Sequence, residues 1–154
     1  MDLTGRSGPT AETAQPPPPD PVLRILALDD DPVNMSLIRA IVSRAGDPAI
    51  RGATLREATT LAAARDVLDR ETIDILLLDV HLPDGLGLDL ATDLRDGGQT
   101  DLAIIALTAS VLPADQQAAL DAGCDAFLAK PYAASALVTT IGELARKPRP
   151  PTSL

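Results

Sequence analysis

Five short apolar runs, each followed by a segment with helical periodicity, constrain this chain more than any other feature. The runs are Val22–Leu28 (VLRILAL), a weak one at Ala53–Ala58, Ile73–Leu78 (IDILLL), Leu102–Leu107 (LAIIAL) and Ala126–Ala129 (AFLA). A strand that is apolar at consecutive positions, as in the third and fourth runs, is buried on both faces. That burial needs helices above and below a parallel sheet.

The segments between the runs supply those helices. Asp31-Pro32 is a good helix start, with Asp31 as N-cap and Pro32 in the first turn. Leu37, Ile38, Ile41, Val42 and Ala45 then recur at helical spacing until Gly46, with Pro48 just beyond. Leu61, Ala64 and Leu68 mark a second helix, and Leu86, Leu90 and Leu94 a third that ends at Gly97-Gly98. A short fourth runs from Pro113 to Ala122, and Leu137, Val138, Ile141, Leu144 and Ala145 share one stripe of a fifth. The pattern predicts one α/β domain over residues 22–146, a doubly wound sheet of five parallel strands. Aromatic side chains are limited to Phe127 and Tyr132, so the core has to be built from Leu, Ile, Val and Ala.

Residues 1–21 are rich in proline and glycine and almost free of large apolar side chains, and 147–154 (KPRPPTSL) read the same way. Such stretches bury too little surface to offset their ordering entropy, so a disordered leader and tail are expected. The formal net charge of -9 argues against a phosphate-backbone-binding surface, and hence against nucleic acid as a partner. One cysteine, Cys124, permits no intrachain disulfide, and no apolar run approaches the length of a membrane span. These features predict a soluble, cytoplasmic protein.

In doubly wound sheets, ligands bind beyond the carboxyl ends of the strands. At those ends stand Asp29 and Asp30 after the first run, Asp79 after the third, Thr108 after the fourth and Lys130 after the fifth. At an effective dielectric near 20, two like charges ~4 Å apart cost about 4 kcal/mol. A hard divalent cation relieves that repulsion, and an oxygen-only ligand set suits Mg²⁺. Lys130 supplies a counter-charge and is the only lysine within 22–146. A carboxylate beside a cation, a hydroxyl and a lysine is arranged for phosphoryl transfer, with Asp79 attacking phosphorus in line to give an acyl phosphate.

Four segments carry a family resemblance: DDDPVN at 29–34, LLLDVHLPDG at 76–85, ALTAS at 106–110 and AFLAKP at 126–131. Their order and spacing resemble those of response-regulator receiver domains of two-component signalling, of the single-domain type, over essentially all of 22–146. The resemblance implies a flavodoxin-like (βα)5 fold with strand order 2-1-3-4-5. It implies Mg²⁺ held by Asp30, Asp79 and the backbone carbonyl of His81, with Asp29 acting through a metal-bound water. Asp79 would be the phosphoacceptor, Thr108, Ala109 and Lys130 the phosphate-binding group, Phe127 the switch aromatic, and Lys130-Pro131 a cis peptide. A histidine kinase or histidine phosphotransfer protein would donate the phosphoryl group. A downstream target protein would receive the signal, the chain itself being a monomer or weak dimer rather than an enzyme.

Two features depart from, or particularise, that pattern. Gly87 stands eight residues after Asp79, as the family usually has it, but Gly85 before it is less usual and is expected to loosen the loop. Phe127 occupies a position where many members have tyrosine. His81 and Ser110 match positions that tune dephosphorylation. Asp31 reads as a helix cap, Asp84-Gly85 as a turn, Asp74 as lying at the wrong end of the sheet, and Cys124 as a buried small residue. A haloacid-dehalogenase-like phosphatase also combines Asp, Thr or Ser, and Lys at strand ends. It requires a second Asp two residues after the nucleophile, where this chain has His81, and carries its nucleophile on the first strand. A pseudo-receiver without chemistry is disfavoured because Asp29, Asp30, Asp79, Thr108 and Lys130 are all present.

Overall fold

A computed structural model describes residues 22–146. The expected leader at 1–21 and tail at 147–154 lie outside the described residues. In chain order the elements are β1 (Arg24–Leu28), α1 (Pro32–Arg44), β2 (Thr54–Ala58), α2 (Leu61–Arg70) and β3 (Ile75–Asp79). There follow β4 (His81–Leu82), β5 (Gly85–Leu86), α3 (Gly87–Asp96), β6 (Ala103–Thr108), α4 (Pro113–Asp121), β7 (Ala126–Ala129) and α5 (Ala134–Arg146). The five long strands form one parallel sheet in the order β2-β1-β3-β6-β7. Counting only the five apolar runs, this is the order 2-1-3-4-5.

Alternation along each strand sorts the core into two layers. Ile25, Ala27, Ile75, Leu77, Ile105 and Leu107 face α1 and α5, where they meet Met35, Ile38, Ile41, Leu137 and Ile141. Leu26, Leu28, Leu76, Leu78, Ile104 and Ala106 face the other way, onto Leu61, Ala64, Leu90, Ala91 and Ala119 of α2, α3 and α4. Every residue of β3 and β6 is buried, which is why those two runs read as continuously apolar.

Helix starts follow local chemistry. Asp31 accepts a hydrogen bond from the Val33 amide at 2.9 Å, and Thr60 caps α2 by accepting from Ala63 at 3.1 Å. The structure differs from the sequence reading at two leucines. Leu37 is 44% exposed because Met35, not Leu37, lies on the inward face of α1 beside Ile38. Leu86 is 47% exposed because it belongs to a two-residue antiparallel ribbon, β4–β5, rather than to α3. Periodicity over a few positions does not register a ribbon of two residues per strand.

At the far end of the sheet, Asp74 accepts from the Arg24 backbone amide at 2.8 Å and pairs with its guanidinium at 3.2 Å, remote from the strand carboxyl ends, as expected. No helix among the described residues is long and apolar enough to cross a membrane.

Candidate functional site

The strand order reverses direction at β1 and β3, and the crevice outside their carboxyl ends is where a ligand binds in such a sheet. Asp29 follows β1 directly and Asp79 is the last residue of β3. Ligand-capable oxygens of Asp29, Asp30 and Asp79 all lie within 4.8 Å of one another. Lys130 reaches across from β7, with Nζ 3.1 Å from Asp29 Oδ2 and 3.3 Å from Asp79 Oδ1. Thr108 ends β6 and is buried beside them.

The backbone fixes these positions. Asp29 is 0% exposed; its amide donates to the Ala58 carbonyl at 3.1 Å, and its Oδ1 accepts from the Asp31 amide at 2.9 Å. The Lys130 amide donates to the Thr108 carbonyl at 2.7 Å, which sets the ammonium over the crevice. The Lys130–Pro131 peptide is cis. The Gly87 amide donates to the Val80 carbonyl at 2.7 Å, folding the loop after Asp79 back over the strand end. A Cβ at Gly87 would overlap the Asp79 carbonyl oxygen, so only glycine allows this approach.

Burial raises the Asp79 carboxyl above the ordinary carboxylate range. Lys130 pulls it back, the Asp29 charge raises it further, and the His81 amide, which hydrogen-bonds the carboxylate, lowers it. The three carboxylates offer oxygen donors only, with Asp30 on the exposed side, and this donor set fits a hard divalent cation such as Mg²⁺.

Residues 25–142 match the family model described as "Response regulator receiver domain". The chain belongs to that family. Response regulator MprA of Mycobacterium leprae (strain TN) is 36% identical over 128 residues, which is 83% of this chain and 53% of that protein. The aerobic respiration control sensor protein ArcB of Escherichia coli (strain K12) is 34% identical over 125 residues, 80% of this chain and 15% of that protein. This receiver domain therefore spans about half the length of the first relative and far less of the second. A crystal structure of a response regulator protein from Burkholderia pseudomallei "with a phosphorylated aspartic acid, calcium ion and citrate" superposes with TM-score 0.66 at 27% identity. The match covers 76% of this chain and 65% of that one.

The receiver domain brings Asp29, Asp30, Asp79, Thr108 and Lys130 into one crevice, with Ala109 exposed at its rim. The His81 side chain is exposed, its backbone in the β4–β5 ribbon directly after the site. Phe127 is half-buried on β7 and packs with the α2–α4 layer. Thr108 Oγ1 accepts from the Ser110 amide at 3.0 Å, while Ser110 Oγ donates to Asp115 at 2.5 Å, tying the loop after β6 to α4. Cys124 is buried and its thiol pushed up to about 12, mainly by burial, which removes it as a nucleophile.

Two residues matter more than the sequence reading gave them. Asp84 is more than a turn: its carboxylate accepts from the Leu61 and Ala62 amides at 2.9 and 3.2 Å, capping α2 from the neighbouring loop. The loop at Gly85, where φ is +148°, is thus fastened rather than loosened. The other is Tyr132, two residues beyond Lys130, whose hydroxyl is buried without a hydrogen-bond partner and lies within the fields of Asp29 and Asp79. Its signal in the sequence is its solitude, as the chain's only tyrosine.

Proposed function

We propose that this receiver domain accepts a phosphoryl group on Asp79 from a phosphohistidine of a histidine kinase or phosphotransfer protein. The observation that carries the reading is the Asp79 carboxylate at the sheet's reversal point, with Lys130 Nζ at 3.3 Å and Asp29, Asp30 and Thr108 around it. In the transfer, an Asp79 carboxylate oxygen forms a bond to phosphorus as the P–N bond to the donor imidazole breaks. Lys130 offsets charge on the transferring oxygens, and the Thr108 hydroxyl and Ala109 amide donate to them. Asp30, Asp79 and the His81 carbonyl would hold Mg²⁺ with Asp29 beside it, and the ion supplies charge neutralisation when bound.

Exposed Val33, Leu86, Val111 and Leu112 stand on segments at this same end of the sheet. An apolar rim around a charged crevice supports a protein donor over a small one. The product carries close to two negative charges and new acceptor oxygens. Thr108 moves toward them, Phe127 turns into the space released, and the face of α4, β7 and α5 changes shape for a downstream protein. Moving such an equilibrium from mostly off to mostly on takes about 5.5 kcal/mol of differential stabilisation, to which the bonds to Thr108 and Lys130 contribute. The domain then works as a phosphoacceptor element of a relay rather than as a turnover enzyme.

The test is intact mass after incubation with acetyl phosphate and Mg²⁺, beside Asp79→Asn. One Mg²⁺-dependent phosphoryl adduct that is lost in the variant is the expected result. No adduct from acetyl phosphate or from a histidine-phosphorylated donor, or multiple-turnover release of inorganic phosphate, would refute the reading.

A further inference from the structure

Among the described residues, the only buried side-chain nitrogen or oxygen without a hydrogen-bond partner is the Tyr132 hydroxyl. A buried donor left unpaired costs free energy, so its persistence asks for a state in which it is paired. The ring packs against the core layer that includes Ile25, Ala27, Met35 and Leu107, from the loop that carries Lys130. Burial, followed by the fields of Asp29 and Asp79, pushes the hydroxyl up to about 12. It is therefore an O–H donor at any physiological pH, within the fields of two carboxylates.

The nearest use for that donor lies in how Asp29 is satisfied. Asp29 is completely buried; Oδ1 is held by the Asp31 amide and Oδ2 by Lys130 at 3.1 Å. Lys130 is shared with Asp79, at 3.3 Å. Once Asp79 carries a phosphoryl group, the ammonium is drawn to oxygens bearing close to two charges. Asp29 Oδ2 then loses the one side-chain donor it has in the unphosphorylated protein. Tyr132 sits in the same β7–α5 loop as Lys130, so a shift of that loop moves both groups together.

We propose that Tyr132 is a positioning residue whose buried hydroxyl takes over Asp29 Oδ2 when Lys130 turns to the phosphoryl group on Asp79. The inference rests on the phosphoacceptor reading of Asp79. It makes Tyr132 a second, buried element of the switch, on the sheet face opposite Phe127. Its hydroxyl is unpaired before phosphorylation and paired after it, so it favours the phosphorylated state alone.

Tyr132→Phe removes that oxygen and keeps the ring. The unphosphorylated variant is expected to melt at or above the wild-type temperature, because only an unpaired polar atom is lost. At fixed acetyl phosphate and Mg²⁺, its ratio of phosphorylated to unphosphorylated protein should fall about ten-fold, equivalent to ~1.4 kcal/mol. A second readout needs no variant at position 132. With one tyrosine and no tryptophan, the protein's tyrosine emission reports on Tyr132 alone. Emission should drop on phosphorylation, as a phenol bonded to a carboxylate is quenched, and should not drop in Asp79→Asn. In a wild-type protein that loads normally, an unchanged ratio in Tyr132→Phe or an unchanged emission overturns the role of Tyr132 and leaves Asp79 standing. A wild-type protein that takes no phosphoryl group overturns both.

Discussion

Replacing Lys130 with methionine isolates the electrostatics of the crevice, because methionine is close in length and carries no charge. The Lys130 side chain is only 19% exposed, and its ammonium sits 3.1 Å from Asp29 and 3.3 Å from Asp79, with Asp29 fully buried. At an effective dielectric of about 20, each contact is worth roughly 5 kcal/mol of Coulomb energy. Much of that is returned when the ammonium no longer has to be desolvated. Breaking a buried pair by removing one partner typically costs about 3–5 kcal/mol net. In chelator at neutral pH the variant should lose about that much, a fall in melting temperature on the order of 10–20 °C for a domain of this size.

The loss should respond to pH and to metal with a definite sign. Burial already holds the folded Asp79 carboxyl above its unfolded value of 3.8, and Lys130 opposes that rise. Without Lys130 the folded value climbs further, so the folded state binds protons more readily than the unfolded state. The deficit is therefore largest at neutral pH and shrinks as pH falls through the raised folded value toward the unfolded one. Mg²⁺ at 100 times its dissociation constant adds about 2.7 kcal/mol to whichever protein binds it. Denaturant melts in chelator and in Mg²⁺, at neutral and acid pH, give all four quantities. A deficit below about 1 kcal/mol in chelator, well under the usual cost of an unpaired buried charge, would refute the reasoning, as would one that grows on acidification.

Two further outcomes follow from the loop after Asp79. Gly87→Ala should destabilise the fold by about 1–3 kcal/mol, the usual cost of overpacking, because its Cβ meets the Asp79 carbonyl group and Leu78 Cδ1. Phosphoryl loading should fall with it, and wild-type melting and loading would show that the loop is free to retreat. Asp84→Ala should lower the melting temperature at neutral pH by uncapping α2. The amides of Leu61 and Ala62 hold the Asp84 carboxyl below 3.8, so its contribution is present above that value and is lost as pH falls through the lower folded one. A difference between variant and wild type that persisted at pH 2 would count against this assignment.

The fold was legible in the sequence because the two central strands are buried on both faces and announce it. IDILLL and LAIIAL admit little but a covered parallel sheet, and the residues that follow the strands name the crevice. Asp31 as a cap, Cys124 as buried, and Asp74 at the far edge were also readable, each from chemistry within a few residues. Edge strands and ribbons were not. β2 buries only Ala58 fully, so its sequence carries little pattern, and β4–β5 is too short to have any.

Sequence order by itself therefore determined the doubly wound sheet and placed Asp29, Asp30, Asp79, Thr108 and Lys130 at one edge, since local periodicity and strand ends suffice for both. Tertiary structure alone decided which of these groups touch. Lys130 meets Asp29 101 residues away in the chain, Asp84 caps a helix that begins 23 residues before it, and Tyr132 has a buried hydroxyl without a partner. Such contacts depend on how strands are ordered across the sheet and how loops lean over its edge. Those are properties of non-local packing, which no window of the sequence contains.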